Sequence, residues 1–228
     1  AKRTGFDLVR LPVFTGPWRG LGAGPNAFVI ESAIDECARV AGLDPINFRL
    51  QHIEEPRLKR VLEEALASAP SASQLAKGWI AGRGVACGIY KKTSFAAVVA
   101  DVQVNPVSGE VRVLHMHCAH DCGRVVNPDQ VRAQCEGNLV WGLGMVLVEN
   151  WSNDARNFGE APIPRMPQLP GISVHLVDHG EPPSGAGETA IVAAGAAIAN
   201  AVRAATGWRL RQLPLNPGDL QRHLKGQS

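Results

Sequence analysis

The stretch Gly185-Ala186-Gly187-Glu188-Thr189-Ala190-Ile191-Val192-Ala193-Ala194-Gly195-Ala196-Ala197-Ile198-Ala199-Asn200-Ala201-Val202 constrains the fold more than any other part of the chain. Ile191, Ala194, Ile198 and Val202 recur at helical spacing, and the other faces carry only Ala, Gly, Val or Asn. A helix this small all round is buried. Ahead of it, Gly180-Glu181-Pro182-Pro183-Ser184-Gly185-Ala186-Gly187 is a Gly/Pro-rich loop that delivers one carboxylate, Glu188, onto the first turn. Two readings fit this acid. It is a helix-start carboxylate favoured by the dipole by roughly 0.3–1 kcal/mol, or it is a general base, kept ionised by the helix N-terminus and approached past glycines that have no side chains to obstruct it.

A chain of 228 residues can bury a core and form one or two domains. The formal net charge of +2, with the basic residues scattered, leaves no footprint for a nucleic acid or an acidic membrane. No run of about 18 apolar residues lacks polar interruption, so no membrane span is expected. The chain opens Ala1-Lys2-Arg3 with no methionine or signal-like segment, as expected of a processed product or a fragment of something longer. Five cysteines at irregular spacing do not form a disulfide framework and read as reduced thiols.

Taken in order, Thr15 to Pro25 is a loop of turn formers that leads into a helix. Phe28, Ile30, Ala33, Ile34, Cys37 and Val40 or Ala41 form its apolar side, Glu31, Asp35 and Glu36 its wet side, and Gly42 its stop. Asp44-Pro45 restarts a helix as N-cap and first residue, with Ile46, Leu50 and Ile53 on the apolar stripe. A third helix runs from about Pro56 to Ala69. Pro70 to Ala76 reads as a linker, after which helical period gives way to strand period. The fold class is therefore α+β, with an antiparallel or mixed sheet and packed helices. A helical segment spans 1–77 and an α+β portion 78–228, as two parts or as one continuous domain.

Trp79 to Tyr90, Phe95 to Val104 and Glu110 to His117 read as strands, the last two joined by Asn105-Pro106-Val107-Ser108-Gly109 as a hairpin. Asp121 to Pro128 is a loop, followed by a helix capped by Asp129. That helix contains Gly137, Gly142 and Gly144, each costing about 1 kcal/mol against Ala, which close approach of another backbone or a flat ligand would justify. A proline-punctuated loop from Asn157 to Pro170 leads to a strand with Ile172, Val174 and Leu176 alternating.

Four chemistries lose support. His115, His117, Cys118, His120 and Cys122 are dense enough to suggest zinc, yet alternation puts His115 and His117 opposite Cys118, and no second ligand pair has finger-like spacing. Gly185 to Ala190 fits a loose dinucleotide fingerprint, but a nine-residue loop stands where a tight turn is needed and no acid follows about 20 residues on. No Walker loop or Gly-x-Ser-x-Gly elbow occurs, which removes nucleotide hydrolysis and serine hydrolysis.

Five segments in register carry a resemblance: Pro17-Trp18-Arg19-Gly20-Leu21-Gly22; Asn26-Ala27-Phe28-Val29-Ile30-Glu31-Ser32; Asp121-Cys122-Gly123 with Val126-Asn127-Pro128-Asp129; Gln134-Cys135-Glu136-Gly137; and Gly185-Ala186-Gly187-Glu188. From about Thr15 to Leu215 the chain resembles the molybdenum hydroxylases, the xanthine dehydrogenase and aldehyde oxidase family. Within it, it looks most like the large subunit of isoquinoline 1-oxidoreductase-type aldehyde dehydrogenases. The resemblance implies oxidation or hydroxylation of an aldehyde or N-heteroaromatic compound with water as oxygen source. It implies Glu188 as the active-site base and Trp18, Arg19 and Leu21 beside the metal and substrate. It also implies that a molybdenum-pyranopterin, as molybdopterin or its cytosine dinucleotide form, is bound around Gly20, Gly22, Gly123, Gln134, Gly187 and Thr189. No residue here ligates the metal directly.

Leu21 falls where xanthine oxidases place a stacking aromatic, so the resemblance implies either a small or aliphatic substrate or a stacking contact supplied elsewhere. The family's Gly-Gly-Phe-Gly motif is absent and its large subunits are several times longer, so the chain resembles their C-terminal part. Cys37, Cys87, Cys118, Cys122 and Cys135 lack iron–sulfur spacing. The implied partners are the rest of the large subunit and a small two-cluster iron–sulfur subunit; the compartment stays open between cytoplasm and periplasm, the latter fitting a longer precursor with an export signal. The competing reading is a non-catalytic assembly module that binds no cofactor alone.

Overall fold

The small-residue helix runs Ala190–Thr206 (α5), and thirteen of its seventeen residues are buried, which makes it the axis of the core. In this computed structural model the described residues are all except 1–4, 6, 12, 13, 72–74, 151–155, 158, 179, 227 and 228. The first three residues of the chain, part of the linker and residue 158 of the proline-punctuated loop thus lie outside the described residues.

The sheet order is β1-β2-β3-β4, with β1 Ile80–Tyr90, β2 Ser94–Val104, β3 Val111–Asp121 and β4 Gly171–Leu176. The first three strands are antiparallel neighbours, and β4 lies parallel to β3. A sheet of this kind is mixed, not the parallel array of a dinucleotide-binding domain. β2 is buried along its whole length because both faces are covered. Ala96, Val98, Ala100, Val102 and Val104 share a core with α5, while Phe95, Ala97 and Val99 face Val61, Leu62 and Ala65 of the third helix. β3 continues past His117 to Asp121, and Leu114 sits in a bulge between the pairs Asp101↔His115 and Val102↔Val113. The extra residue puts Val113, Met116 and Cys118 on the α5 side, and His117 on the other, where it meets Ser68.

Glycines let α5 reach the sheet. A Cβ on Gly84 would lie 2.7 Å from Ala201 Cα, one on Gly82 2.8 Å from Ala205 Cβ, and one on Gly88 2.5 Å from Val192 Cγ1. On the far side α4, Pro128–Leu147, approaches through Gly142, whose Cβ would meet Ala194 Cβ at 2.5 Å. Two of the three glycines in α4 therefore serve protein packing, since Gly144 is closed off by Glu149 and Pro164. The N-cap of α4 is Asn127, which accepts the Gln130 amide, and not Asp129: Pro128 fits the first helical position, so the cap falls one residue before it.

The N-terminal helices are α1 Ala23–Val40, α2 Pro45–His52 and α3 Pro56–Ser68. Asp44 caps α2 by accepting from the Ile46 and Asn47 amides, and Gly42 takes φ +68° after α1. The sides of α1 differ from the expected ones. Glu31, expected on the wet side, is 4% exposed, whereas Ile30 is 56% exposed. The reason is electrostatic: Arg49 Nε donates to Glu31 at 2.9 Å, Arg49 also pairs with Asp35 at 2.6 Å, and the Cys87 amide donates to Glu31 at 3.1 Å. A buried carboxylate with these partners is tolerated where an unpaired one is not. The described chain closes with α6, Pro217–Lys225, an element that no pattern in the sequence had led us to expect.

Candidate active site

The site is assembled from four segments that meet at the start of α5. The first is the turn Trp18–Gly22, in which the Leu21 amide donates to Trp18 O at 2.8 Å, with Gly20 at φ +87° and Leu21 at φ +49°. Gly20 is required there on two counts, since any Cβ would also lie 2.8 Å from Ile191 Cγ2. This turn aims Arg19 inward. Its Nε donates to Gly187 O at 2.6 Å, and its Nη2 donates to Gln134 Oε1 at 2.7 Å. Gly22 is the residue before α1 and gives it no side-chain cap.

The second segment is α4. Asn138, fully buried, donates through Nδ2 to Gln134 O at 2.6 Å and to Gly187 O at 3.2 Å, and its Oδ1 accepts the Ile191 amide at 3.3 Å. Gly137 lies under Arg19, where a Cβ would meet Nη1 at 3.2 Å. The third is the loop before α5, pinned by Ser184 Oγ donating to Thr93 O at 2.9 Å and by the Ser184 amide donating to Cys122 O at 2.7 Å. The fourth is the end of β1, which contributes Tyr90.

Glu188 is not on the first turn of α5. The helix begins at Ala190 with Thr189 as its N-cap, so the loop carries the acid two residues ahead of it. Nor is the carboxylate unpaired. Oε1 accepts the Gly20 amide at 3.3 Å and Oε2 accepts the Tyr90 hydroxyl. The Tyr90 bond holds the Glu188 pKa below the ordinary carboxylate value; partial burial opposes this, and the Gly20 amide, Lys91 and Arg19 reinforce it. The same bond raises the Tyr90 pKa. Burial lowers the Arg19 pKa, against the pull of Glu188. The acid is thus a fixed, ionised and rather weak base.

The other expected residues divide. Trp18 and Leu21 are about half exposed and line a cavity of about 560 Å³ with Pro25, Met145 and Ile163. Trp18 also meets Trp141 edge-on at 5.2 Å. Gly123 lies apart from this cluster: its amide donates to Asp121 Oδ1 at 2.8 Å, and a Cβ there would strike the Glu181–Pro182 backbone, so its glycine serves packing. Thr189 is fully buried with its hydroxyl on Ser94 Oγ at 2.7 Å, which makes it a strut for the loop. Tyr90 and Asn138 are functional candidates that sequence reasoning missed; the one available signal was an amide at position i+4 from Gln134 on an otherwise apolar helix face.

No group of three or more His, Cys, Asp or Glu among the described residues could hold a metal. A flat polar cofactor fits better. A Cβ on Gly185 would meet no described atom within 4 Å, and one on Gly187 only Gln134 Oε1 at 3.8 Å, so nothing in the described chain fills the space over these glycines. Beside that floor, Gln134 Nε2 and Arg19 Nη1 are donors that none of the described hydrogen bonds uses. Open glycine backbone next to unspent donors is what close approach of a pterin requires.

Residues 36–170 match the family described as molybdopterin cofactor-binding domain. The chain is 38% identical over 237 residues to one of the subunits of the nicotinate dehydrogenase of Pseudomonas putida, covering 95% of this chain and 20% of that protein. It is 35% identical over 217 residues to the beta subunit of the isoquinoline 1-oxidoreductase of Brevundimonas diminuta, covering 91% and 27%. In fold it is similar to the aldehyde oxidoreductase of Desulfovibrio gigas, with TM-score 0.79 at 16% identity over 91% of this chain and 41% of that one. Quinoline 2-oxidoreductase from Pseudomonas putida 86 gives TM-score 0.76 at 12% identity, over 91% and 53%. The chain therefore spans only about a fifth to a quarter of the length of the curated relatives it matches.

Proposed function

The chain belongs to the molybdopterin cofactor-binding domain family, and from that premise we propose that it forms part of the catalytic subunit of a molybdenum-dependent oxidoreductase. Its substrate on this reading is an aldehyde or an N-heteroaromatic compound, the classes in the names of its relatives and structural neighbours. The observation that carries the proposal is the placing of one ionised carboxylate, Glu188, beside an open glycine floor edged by Arg19 and Gln134.

When bound, the molybdenum-pyranopterin supplies two-electron oxidation with oxygen taken from water. Gln134 Nε2, Arg19 Nη1 and the backbone at Gly187 would hold it. Glu188 would accept the proton that the attacking oxygen loses. Two of the roughly four lone-pair sites of its carboxylate are committed to Gly20 and Tyr90, which leaves acceptor capacity on a side chain whose direction is fixed. Trp18, Leu21 and Met145 would exclude water around the substrate. Both relatives are named as subunits, which supports an assembly of several chains; on this reading its other parts are the remainder of the large subunit and a two-cluster iron–sulfur partner as electron outlet.

The test is Glu188→Gln in the complete complex. It keeps size and loop geometry but cannot accept the proton. Turnover is expected to fall by about 10²–10⁴-fold with molybdenum and pterin content unchanged. Turnover within about threefold of wild type at equal loading would reject Glu188 as the base.

A further inference from the structure

We propose that Tyr90 is a positioning residue that fixes the direction of the Glu188 carboxylate, so that the Tyr90–Glu188 pair is the unit that receives the proton. The inference rests on Glu188 being the base. Its support is geometric. The Tyr90 ring, 8% exposed, is clamped by Ala27 of α1 and Val192 of α5, so its hydroxyl has little freedom except to point at Glu188 Oε2. The carboxylate is thereby held at both ends, by a side chain on β1 and by the Gly20 amide at 3.3 Å.

The turn that follows Tyr90 is costly. Lys91 and Lys92 are consecutive non-glycine residues at φ +51° and +60°, where a hairpin would ordinarily use Asn or Gly. This backbone places Lys91 Nζ 5.3 Å from the centroid of the Tyr90 ring, and the turn is tied to the Glu188 loop through Thr93 O and Ser184. The charged groups acting on Glu188 are then Arg19 from the N-terminal turn and Lys91 from the hairpin, with Tyr90 as the hydrogen-bond donor. All three favour the ionised carboxylate. A bond that served only to anchor the start of α5 would not have to reach the atom that takes the proton.

Tyr90 is the only tyrosine in the chain, so its ionisation can be read directly. Tyrosinate absorbance of the 228-residue chain is measured near pH 10, the ordinary tyrosine midpoint, with circular dichroism confirming the fold. Wild type is expected to show less tyrosinate than Glu188→Gln. In the complete enzyme, Tyr90→Phe keeps the ring between Ala27 and Val192 and should retain full cofactor content. The acidic limb of its kcat/KM profile should move to higher pH, and kcat should fall by roughly tenfold. Equal tyrosinate in wild type and Glu188→Gln, or an unmoved acidic limb in Tyr90→Phe, overturns the proposal while leaving the base itself untouched. Full turnover in Glu188→Gln overturns the base and the proposal with it, and the tyrosinate comparison then still reports whether the bond exists.

Discussion

Gly84→Ala tests whether the glycines of β1 exist to seat α5. A Cβ there would stand 2.7 Å from Ala201 Cα, and closer still to the Ala201 nitrogen and Ala197 carbonyl, whereas ordinary van der Waals contact begins near 3.4 Å. The helix would have to retreat by at least about 0.7 Å. Its adjustment is limited further along the helix, where Ala194 already lies against Gly142 of α4. Overpacking against side chains typically costs about 1–3 kcal/mol, and here the atoms met are helix backbone, so a loss of about 3 kcal/mol or more is expected. That is a large part of the roughly 5–15 kcal/mol that holds a domain together. Urea unfolding of the 228-residue chain reads the loss as a lower midpoint at unchanged slope. Gly88→Ala, which meets only a Val192 methyl group closely, should lose less. A Gly84→Ala loss below about 1 kcal/mol would refute the argument that close backbone approach sets this packing.

Two further perturbations probe the site and the core. Gly137→Val pushes Arg19 away from Gln134, since even a Cβ would lie 3.2 Å from Nη1, so pterin content of the assembled enzyme should fall while the chain stays folded; full occupancy would show that Arg19 and Gln134 do not hold the cofactor. Burial pushes the His120 pKa down to about 4 and leaves neither ring nitrogen with a hydrogen bond to any described residue. Between about pH 6.5 and 4 the unfolded chain therefore binds more protons than the native one, and stability falls with pH through that window by up to about 3 kcal/mol from this residue. His120→Leu should cost little at neutral pH and should flatten the acid fall in the urea midpoint, leaving the part due to His117; an unchanged slope would count against the buried neutral imidazole.

What the sequence could disclose follows from period and punctuation. Asp44-Pro45, Gly42 and the Val98 to Val104 alternation act locally, and each lies where its pattern places it. The burial of α5 follows from its lack of any large polar side chain on any buried face. Glu31 escapes the pattern because helical period assigns charge to water, while its partner Arg49 comes from the next helix. The bulge at Leu114 and the extension of β3 to Asp121 depend on pairing with β2, which no single-strand pattern encodes. Glu188 is marked by its glycines, but Tyr90 is not marked at all, because the tyrosine is 98 residues away and nothing near it in the chain announces an acid.

The reach of Arg19 bears on the order of events in folding. One guanidinium joins positions 115 and 168 residues away, and Tyr90 spans another 98 to Glu188. Closing loops of that length costs entropy that a few hydrogen bonds at a half-exposed cleft do not offset. The cluster can therefore form only after α5 has docked on the sheet and α4 has closed over it. Helix content and hairpin pairing would be complete in a chain that still has no cleft, so binding competence reports the last step of folding.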